Sequence, residues 1–173
     1  LAALPAGELY IVHAAATCVH RPFEALTLRH WDFTMALNVR AFFELVQTLR
    51  PALGAGSAIV AVSSAGAVRT VPAYAAIGSS KGALESLSRH LAAELAPHGI
   101  RVNIVSPGSV LTEAWDAFPD KEARIAEGLK RTPRGRFVEP AEVARLTRFL
   151  LSPAAEGIVG QTLVIDGGAR IVD

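Results

Sequence analysis

Short apolar runs alternate along the chain with segments in which apolar residues recur every three or four positions. The continuous runs cover residues 9–13, 58–62, 100–105 and 161–165. The periodic segments cover residues 31–53, 84–95 and 140–151, with a weaker helical pattern over 119–130. Continuous runs are typical of strands buried on both faces, and periodic segments predict helices. This order of elements predicts an α/β fold, in which helices cover both faces of a parallel sheet.

Local signals predict the ends of several helices. Thr27 precedes one periodic segment and is suited to cap it, and the glycines of residues 54–56 end that segment. Pro140 suits the first turn of the last helix, which is expected to run to about Leu151, before Pro153.

Composition indicates one ordered domain over residues 1–173. Apolar residues make up 51% of the chain and charged residues 19%, which is typical of a chain with a sizeable core rather than a disordered one. No internal repeat or low-complexity tract divides the sequence.

Charge and cysteine content narrow the partners and the compartment. A formal net charge of +1 provides no field that draws the chain to nucleic acid or to an anionic membrane. No histidine has the spacing to a cysteine or carboxylate pair that a metal site needs. The single cysteine, Cys18, fits a reducing compartment and is expected to be a small buried residue. We therefore expect a cytoplasmic protein with no nucleic-acid partner, no membrane association and no metal.

Small and hydroxyl residues follow three of the predicted strands. They are residues 13–17, 63–66 and 106–112. Ligands of open parallel sheets bind outside the carboxyl ends of the strands, so these residues suit a flat ligand along that edge. Any one of the segments, taken alone, is better explained as a short turn between strand and helix, but the three together favour a ligand site.

Tyr74 and Lys81 begin the helix that follows the second strand. Their separation of seven residues is two helical turns to within about 20°, which places both side chains on one face. A nearby lysine favours the phenolate and so lowers the pKa of a tyrosine, which would make Tyr74 a workable general acid near neutral pH.

At this point the sequence resembles the short-chain dehydrogenase/reductases over residues 9–168. The motifs that carry the resemblance are Leu37-Asn-Val-Arg-Ala41, Ser63-Ser64, Tyr74 with Lys81, Arg101-Val-Asn103, Ser106-Pro-Gly108 and Val164-Ile-Asp-Gly-Gly168. The family usually has Tyr-x3-Lys, but here Ile77 occupies that tyrosine position. The Tyr-x6-Lys spacing resembles the divergent enoyl-[acyl-carrier-protein] reductases, and most of all their NADPH-using type.

The resemblance implies roles for four residues. Hydride from the nicotinamide would go to the β-carbon of a trans-2-enoyl thioester, while Tyr74 hydrogen-bonds the enolate oxygen and supplies a proton. Lys81 would hold the nicotinamide ribose. Ser64 stands at the family's serine position, where some enoyl reductases carry a second tyrosine, and would orient cofactor or substrate. Asn38 would support the lysine through a water or a backbone contact.

The resemblance also implies a nicotinamide cofactor, with NADP(H) favoured and NAD(H) possible. The implied cofactor contacts, besides Tyr74 and Lys81, are His13, Ala14, Ala15, Ser63, Pro107, Gly108, Val110 and Thr112. Where the family has Asn-Asn-Ala after the first strand, this chain has His13-Ala14-Ala15, so His13 is expected to replace the asparagine as a hydrogen-bonding residue.

Substrate contacts follow from the same resemblance. Trp115 and Phe118 lie in the family's substrate-lid region and would line an acyl pocket, although ordinary helix packing explains them almost as well. The substrate would be an acyl thioester on acyl carrier protein or CoA. A basic cluster at residues 130–136 is either a solvated surface or a docking site for an acidic carrier. The family's usual assembly implies a homo-oligomer, either tetramer or dimer.

The resemblance covers the C-terminal part of a doubly wound, Rossmann-like domain. The family's first three βα units and its glycine-rich phosphate loop have no counterpart in these residues. We therefore expect a fragment of a longer reductase, in which the strand at residues 9–13 is left as an exposed edge. Two alternatives to enoyl reduction stay open: a keto/hydroxy oxidoreductase of the same fold, and a non-catalytic remnant or interaction subunit.

Overall fold

The computed structural model describes residues 7–113, 115 and 120–172. Its strands are β1 (Tyr10–His13), β2 (Ala58–Val62), β3 (Arg101–Pro107) and β4 (Thr162–Ile165). Its helices are α1 (Leu28–Met35), α2 (Ala41–Leu49), α3 (Ala75–Leu95), α4 (Lys121–Lys130) and α5 (Pro140–Leu151). Short 3₁₀ turns lie at Phe23–Ala25, Arg50–Ala52, Ala65–Ala67, Ala96–His98 and Pro153–Ala155. Each predicted strand therefore corresponds to an observed strand, and each predicted helical segment is helical, with differences at 31–53 and in β1 that are described below.

Within the described residues, four strands form one parallel sheet in the order β1-β2-β3-β4. One buried cluster packs residues of α2 and α3, such as Phe42 and Leu84, against Ile59 and Ile104 of the sheet. A second cluster packs Leu150 of α5 against other residues of β2 and β3. Helices therefore cover both faces of the sheet, and the predicted Rossmann-like α/β class is confirmed.

β1 is one of the two edge strands of the described sheet, and its burial differs from the prediction. Ile11 and His13 are buried against the α2 side, whereas Tyr10 and Val12 are 51% and 47% exposed. Successive side chains of a strand point to opposite faces, and among the described residues only one face of β1 is well covered. The expected strand buried on both faces is therefore wrong for β1, which is half exposed.

The long helix predicted over residues 31–53 is interrupted. Between α1 and α2 the chain makes a π-helical turn, Ala36–Arg40, that contains the fully buried Asn38. Single π turns inside α-helices are often found at functional sites. Thr27 caps α1 as predicted, because its hydroxyl accepts a hydrogen bond from the backbone N–H of His30.

No helix in the part of the chain that the structure describes is long and apolar enough to cross a membrane. Over the same residues, no group of three or more His, Cys, Asp or Glu side chains is arranged to hold a metal ion.

Candidate functional site

The carboxyl ends of β2 and β3 open into a cavity of about 840 Å³. The predicted site residues that line this cavity are Ser64, Tyr74, Pro107, Gly108, Val110, Thr112 and Trp115. Further lining comes from Cys18, His20, Ala65, Gly66, Val71, Pro72, Ser109, Ala123, Arg124, Glu127, Gly128 and Arg131. Ligand sites commonly have volumes of roughly 300–1,000 Å³, so this cavity is large enough for a small molecule with part of a cofactor.

Tyr74 caps the N-terminus of α3 rather than lying inside the helix. Its backbone angles, φ −118° and ψ 11°, are not helical, and its hydroxyl lies 3.4 Å from the Ser64 hydroxyl oxygen, a long hydrogen bond. The ring of His20 contacts the Tyr74 ring, with centroids 5.2 Å apart. Burial raises the pKa of Tyr74, and the hydrogen bond to Ser64 only partly opposes this shift. Tyr74 is therefore a protonated phenol at neutral pH.

Lys81 is buried beside this cavity, with 5% of its surface exposed. Its Nζ donates a hydrogen bond to the carbonyl oxygen of Val62 over 2.8 Å, at the end of β2. Burial lowers the pKa of Lys81 to about 8. Lys81 is not among the groups that shift the pKa of Tyr74. The prediction that the lysine lowers this pKa is therefore wrong for this geometry, in which burial of the phenol decides the direction.

The two adjacent serines after β2 face different surroundings. Ser64 lines the cavity, whereas the hydroxyl of Ser63 donates to a carboxylate oxygen of Glu85 over 2.6 Å in the buried interior. Adjacent residues of extended chain point to opposite faces, which explains the division. The structure thus uses the Ser63 side chain to join β2 to α3, and its predicted contact with a cofactor stays a prediction.

Asn38 joins the segment after β1 to the helix α3 through two hydrogen bonds. Its side-chain oxygen accepts from the backbone N–H of Thr17 over 2.8 Å, and its amide donates to the hydroxyl of Ser80 over 2.9 Å. Ser80 precedes Lys81, so Asn38 reaches the helix that carries the lysine through a side-chain contact. The predicted support of Lys81 itself, through a water or a backbone contact, stays a prediction.

His13, Ala14 and Ala15 are not among the residues that line the cavity. His13 is buried against Phe42, with ring centroids 5.1 Å apart, and its buried Nε2 has no hydrogen-bond partner among the described residues. The expectation that His13 acts as a hydrogen-bonding residue is therefore not met at Nε2. Ala14 and Ala15 are exposed, and Ala14 lines a separate groove between β1, β2 and α5.

Sequence reasoning missed Cys18 and His20 as lining residues. Cys18 is exposed, so its prediction as a buried residue is wrong. Both residues reach the cavity because the backbone N–H of Arg21 donates to the carbonyl oxygen of Ala73, 2.9 Å away, next to Tyr74. A contact between residues so far apart in sequence leaves no periodic signal that could have revealed it.

Trp115 forms one wall of the cavity. Its indole N–H donates to the carbonyl oxygen of Val110 over 2.9 Å, and its ring stacks on Phe137 at 6.0 Å between centroids. Both contacts hold the ring in one orientation. Phe118, the other predicted substrate contact, lies outside the described residues.

The basic cluster at residues 130–136 is paired with carboxylates. Lys130 and Arg131 lie 3.5 Å and 3.1 Å from carboxylate oxygens of Glu127. Arg134 and Arg136 lie 2.6 Å and 2.8 Å from those of Glu142. Hydrogen bonds from Arg136, the backbone of residue 139 and Arg134 lower the pKa of Glu142 to about 2. Each cation of the cluster therefore has a carboxylate neighbour, and docking of an acidic carrier at this cluster stays a prediction.

The donors at this edge fit the nicotinamide end of a dinucleotide. The small residues of the segment after β3, from Pro107 to Val110, let a flat ring approach the backbone beside Ser64 and Tyr74. Lys81 donates one of its three ammonium hydrogens to Val62. No glycine-rich loop for the pyrophosphate is found in the sequence, so the fit concerns the nicotinamide end alone.

Comparison with known proteins agrees with this architecture. A family model described as "Enoyl-(Acyl carrier protein) reductase" matches residues 8–170. Among curated proteins, the chain is 39% identical over 95% of its length to senescence-associated protein 13 of Arabidopsis thaliana. It is 38% identical over 94% of its length to 1-cyclohexenylcarbonyl-CoA reductase of Streptomyces collinus, and 35% identical over 91% to L-xylulose reductase of Bos taurus. The chain spans 62%, 59% and 66% of the length of these relatives.

Solved structures give the same result. A short-chain dehydrogenase/reductase of Brucella melitensis, titled a glucose/ribitol dehydrogenase, is 34% identical with a TM-score of 0.82, covering 92% of this chain and 63% of its own. The NADH-dependent enoyl-[acyl-carrier-protein] reductase of Aquifex aeolicus is 30% identical with a TM-score of 0.87, covering 95% and 66%. The names of these relatives point to several kinds of substrate, and the solved structures share the fold of this chain. The chain therefore belongs to the short-chain dehydrogenase/reductase family of oxidoreductases.

Proposed function

We propose that this oxidoreductase reduces the carbon–carbon double bond of a trans-2-enoyl thioester with NAD(P)H. The proposal rests mainly on the position of the proton donor, Tyr74. Ile77, which stands at the family's usual tyrosine position, is 2% exposed and has no proton to give, whereas Tyr74 lines the cavity. The family model and the cyclohexenylcarbonyl-CoA reductase support reduction of this kind of bond.

The side chains of the site suit the two ends of this reaction. When bound, NAD(P)H would supply a hydride to the β-carbon, and the electron pair of the double bond would move to the thioester oxygen as an enolate. Tyr74, a protonated phenol, donates a hydrogen bond to that oxygen and stabilises its charge. The enolate then takes up a proton at the α-carbon, and Tyr74 is the acid that we propose for this step.

The lining of the cavity favours an apolar acyl group. Val71, Pro72, Val110 and Trp115 form an apolar part of the lining, and the Trp115 ring is held in place. Arg124, Glu127 and Arg131 line another part of the cavity. An acyl chain gains about 0.8 kcal/mol for each methylene that the apolar part buries. The thioester is proposed to be carried on acyl carrier protein or CoA. NADPH is the proposed reductant and NADH the alternative, since the Aquifex enoyl reductase is named for NADH.

Carbonyl reduction is a second candidate, and the contact between Ser64 and Tyr74 favours it. Two hydroxyls 3.4 Å apart can together donate to one developing alkoxide. L-xylulose reductase, among the relatives above, is named for a carbonyl substrate. The two reactions place different demands on Ser64, because an enolate oxygen held by Tyr74 does not depend on a second donor.

Two substitutions separate the candidates. Rates with crotonyl and acetoacetyl thioesters would be measured for the wild type, Ser64→Ala and Tyr74→Phe, with NADPH and with NADH. We expect Ser64→Ala to keep crotonyl reduction within about tenfold, and Tyr74→Phe to lose about 10²–10⁴-fold. If the wild type reduces only the acetoacetyl thioester and Ser64→Ala abolishes that activity, carbonyl reduction is the function. If neither thioester is reduced and neither nucleotide binds, the chain is a non-catalytic remnant.

A further inference from the structure

The ring of Tyr74 lies directly against the backbone of Gly66. A Cβ atom built on Gly66 would come within 2.5 Å of Cδ1 of Tyr74, and still closer to its Cε1. Contacts this short do not occur between real atoms, so any side chain at position 66 must displace the ring. The turn at residues 65–67 therefore accommodates Tyr74 only because residue 66 has no side chain.

Backbone conformation does not explain this glycine. The glycines with positive φ in the described residues do not include Gly66, so an L-residue can adopt its backbone angles. Space is therefore the reason for glycine at this position, and the space is filled by the Tyr74 ring.

The backbone under the ring cannot easily move away. The carbonyl oxygen of Gly66 lies against Gly78 of α3, where a built Cβ would be 2.8 Å from it. The N–H of Gly78 in turn donates to the carbonyl oxygen of Tyr74 over 2.7 Å. The turn and the first residues of α3 are thus packed backbone to backbone, and strain introduced at Gly66 is passed to the ring.

Tyr74 is also held on its other sides. His20 contacts its ring, and the preceding residue, Ala73, has φ +58°, a left-handed conformation that costs a non-glycine residue on the order of 1 kcal/mol. The carbonyl oxygen of Ala73 accepts a hydrogen bond from Arg21 in that conformation. Strained backbone of this kind persists only where its surroundings impose it.

We propose that Gly66 is a positioning residue for Tyr74: its missing side chain provides the surface on which the ring rests and so places the phenol hydroxyl beside Ser64 in the cavity. This inference deepens the proposed function, on which its catalytic meaning rests. The placement of the ring is a separate physical claim, and it is tested without substrate.

The tyrosine content makes the placement measurable. The chain has two tyrosines, and Tyr10 is half exposed, with its hydroxyl bound to Glu8 at the surface. Tyr10→Phe therefore leaves Tyr74 as the only phenol, whose titration is followed by ultraviolet absorbance. In this background we expect Tyr74 to titrate above its ordinary pKa of 10.0, because the ring is buried.

Gly66→Ala in the Tyr10→Phe background is expected to bring the pKa of Tyr74 back towards 10.0, because the new methyl group pushes the ring towards solvent. Gly82→Ala is the matched control. It lies in the same helix as Gly78, and its built Cβ has no contact closer than 3.5 Å, so its titration should equal that of the background. Equal titration curves for Gly66→Ala and Gly82→Ala would overturn the proposal.

Activity provides a second readout. We expect Gly66→Ala to lower kcat for crotonyl thioester by about tenfold or more with little change in KM, and to have no further effect in the Tyr74→Phe background. A Gly66→Ala loss of the same size in both backgrounds would show that residue 66 acts elsewhere. If the wild type reduces no thioester, the proposed function fails while the titration still decides the role of Gly66.

A compensating substitution at Tyr74 serves as the control for folding. If Gly66→Ala does not fold, the collision with the ring predicts that adding Tyr74→Ala restores a cooperative melting transition. Failure of this double variant to fold would contradict the proposal, since removing the ring removes the contact on which it rests.

Discussion

The polar groups around the carboxyl end of β2, here called the β2 side, are more completely paired than those at the end of β1, the β1 side. On the β2 side, Ser63 is bonded to Glu85, Lys81 to Val62, and Tyr74 to Ser64. On the β1 side, the Nε2 of His13 is buried with no hydrogen-bond partner in the part of the chain that the structure describes. Buried polar groups in folded proteins are normally paired, so the two sides are not equivalent.

This difference indicates which half of the site the described residues complete by themselves. The β2 side contains the groups proposed to move protons and to hold the nicotinamide ribose, and each is fixed by a neighbour. The β1 side ends in an edge strand whose residues Tyr10 and Val12 are about half exposed. We infer that the end of the site that holds Tyr74 and Lys81 depends on contacts within the described residues, whereas no described residue pairs with the buried Nε2 of His13.

The largest expected effect comes from removing the hydroxyl of Tyr74 on the β2 side. Tyr74→Phe should reduce crotonyl thioester turnover by about 10²–10⁴-fold, since the acid is lost. Adding Ile77→Tyr restores the family's usual Tyr-x3-Lys spacing, but we expect no recovery, because residue 77 is buried and does not line the cavity. Recovery of turnover in the double variant, measured by steady-state kinetics, would show that the site tolerates either position.

The next effect concerns Lys81 and is read from stability. Burial lowers its pKa from 10.5 to about 8, so between these two values the unfolded chain keeps a proton that the folded chain has released. The free energy of unfolding therefore rises with pH across this window, by about 3 kcal/mol in all, and this contribution is lost as pH falls to 8.

Lys81→Met removes that pH dependence and serves as the control. Urea denaturation of both proteins from pH 7 to 10.5 should show the wild type gaining stability relative to the variant as pH rises. Parallel profiles would mean that Lys81 is more solvated than its burial indicates.

The smallest effect is expected on the β1 side. Burial, and then the positive charge of Lys81, lower the pKa of His13 below 6.5, so its contribution to stability is present above 6.5 and is lost as pH falls through the folded-state pKa. His13→Leu should change the free energy of unfolding at neutral pH by no more than about 1 kcal/mol, because the lost ring nitrogen was unpaired. The variant should also lose less stability between pH 7 and 5 than the wild type. A large loss at neutral pH would show that His13 has a partner that matters, and would remove the contrast between the two sides.

Much of the fold could be predicted because its signals are local. The continuous apolar runs correspond to the strands, and α5 has the predicted bounds because Pro140 and the reciprocal hydrogen bonds of Glu139 and Glu142 fix its first turn. The interruption at Asn38 was not predictable from periodicity, since the residues of the π turn keep the apolar spacing of a continuous helix.

The sequence was enough to predict which residues form the site, but not how their side chains are placed. The spacing of Tyr74 and Lys81 indicated a shared helical face, but Tyr74 lies at the cap and its ring leaves the helix to rest on Gly66. That contact, like the one between Ser63 and Glu85, joins residues of different elements, and no local pattern encodes it. The direction of the Tyr74 pKa shift was wrong for the same reason, because it depends on how deeply the tertiary structure buries the ring.

One measurement tests the central claim, that Tyr74 serves the reduction of a carbon–carbon double bond. Equal concentrations of crotonyl and acetoacetyl thioesters would be incubated in one vessel with the protein and NADPH, and the products identified by mass spectrometry. Products from one vessel report the ratio of the two kcat/KM values directly. The account predicts the saturated butyryl thioester in large excess, and loss of that product with Tyr74→Phe. An excess of the 3-hydroxybutyryl thioester would contradict it.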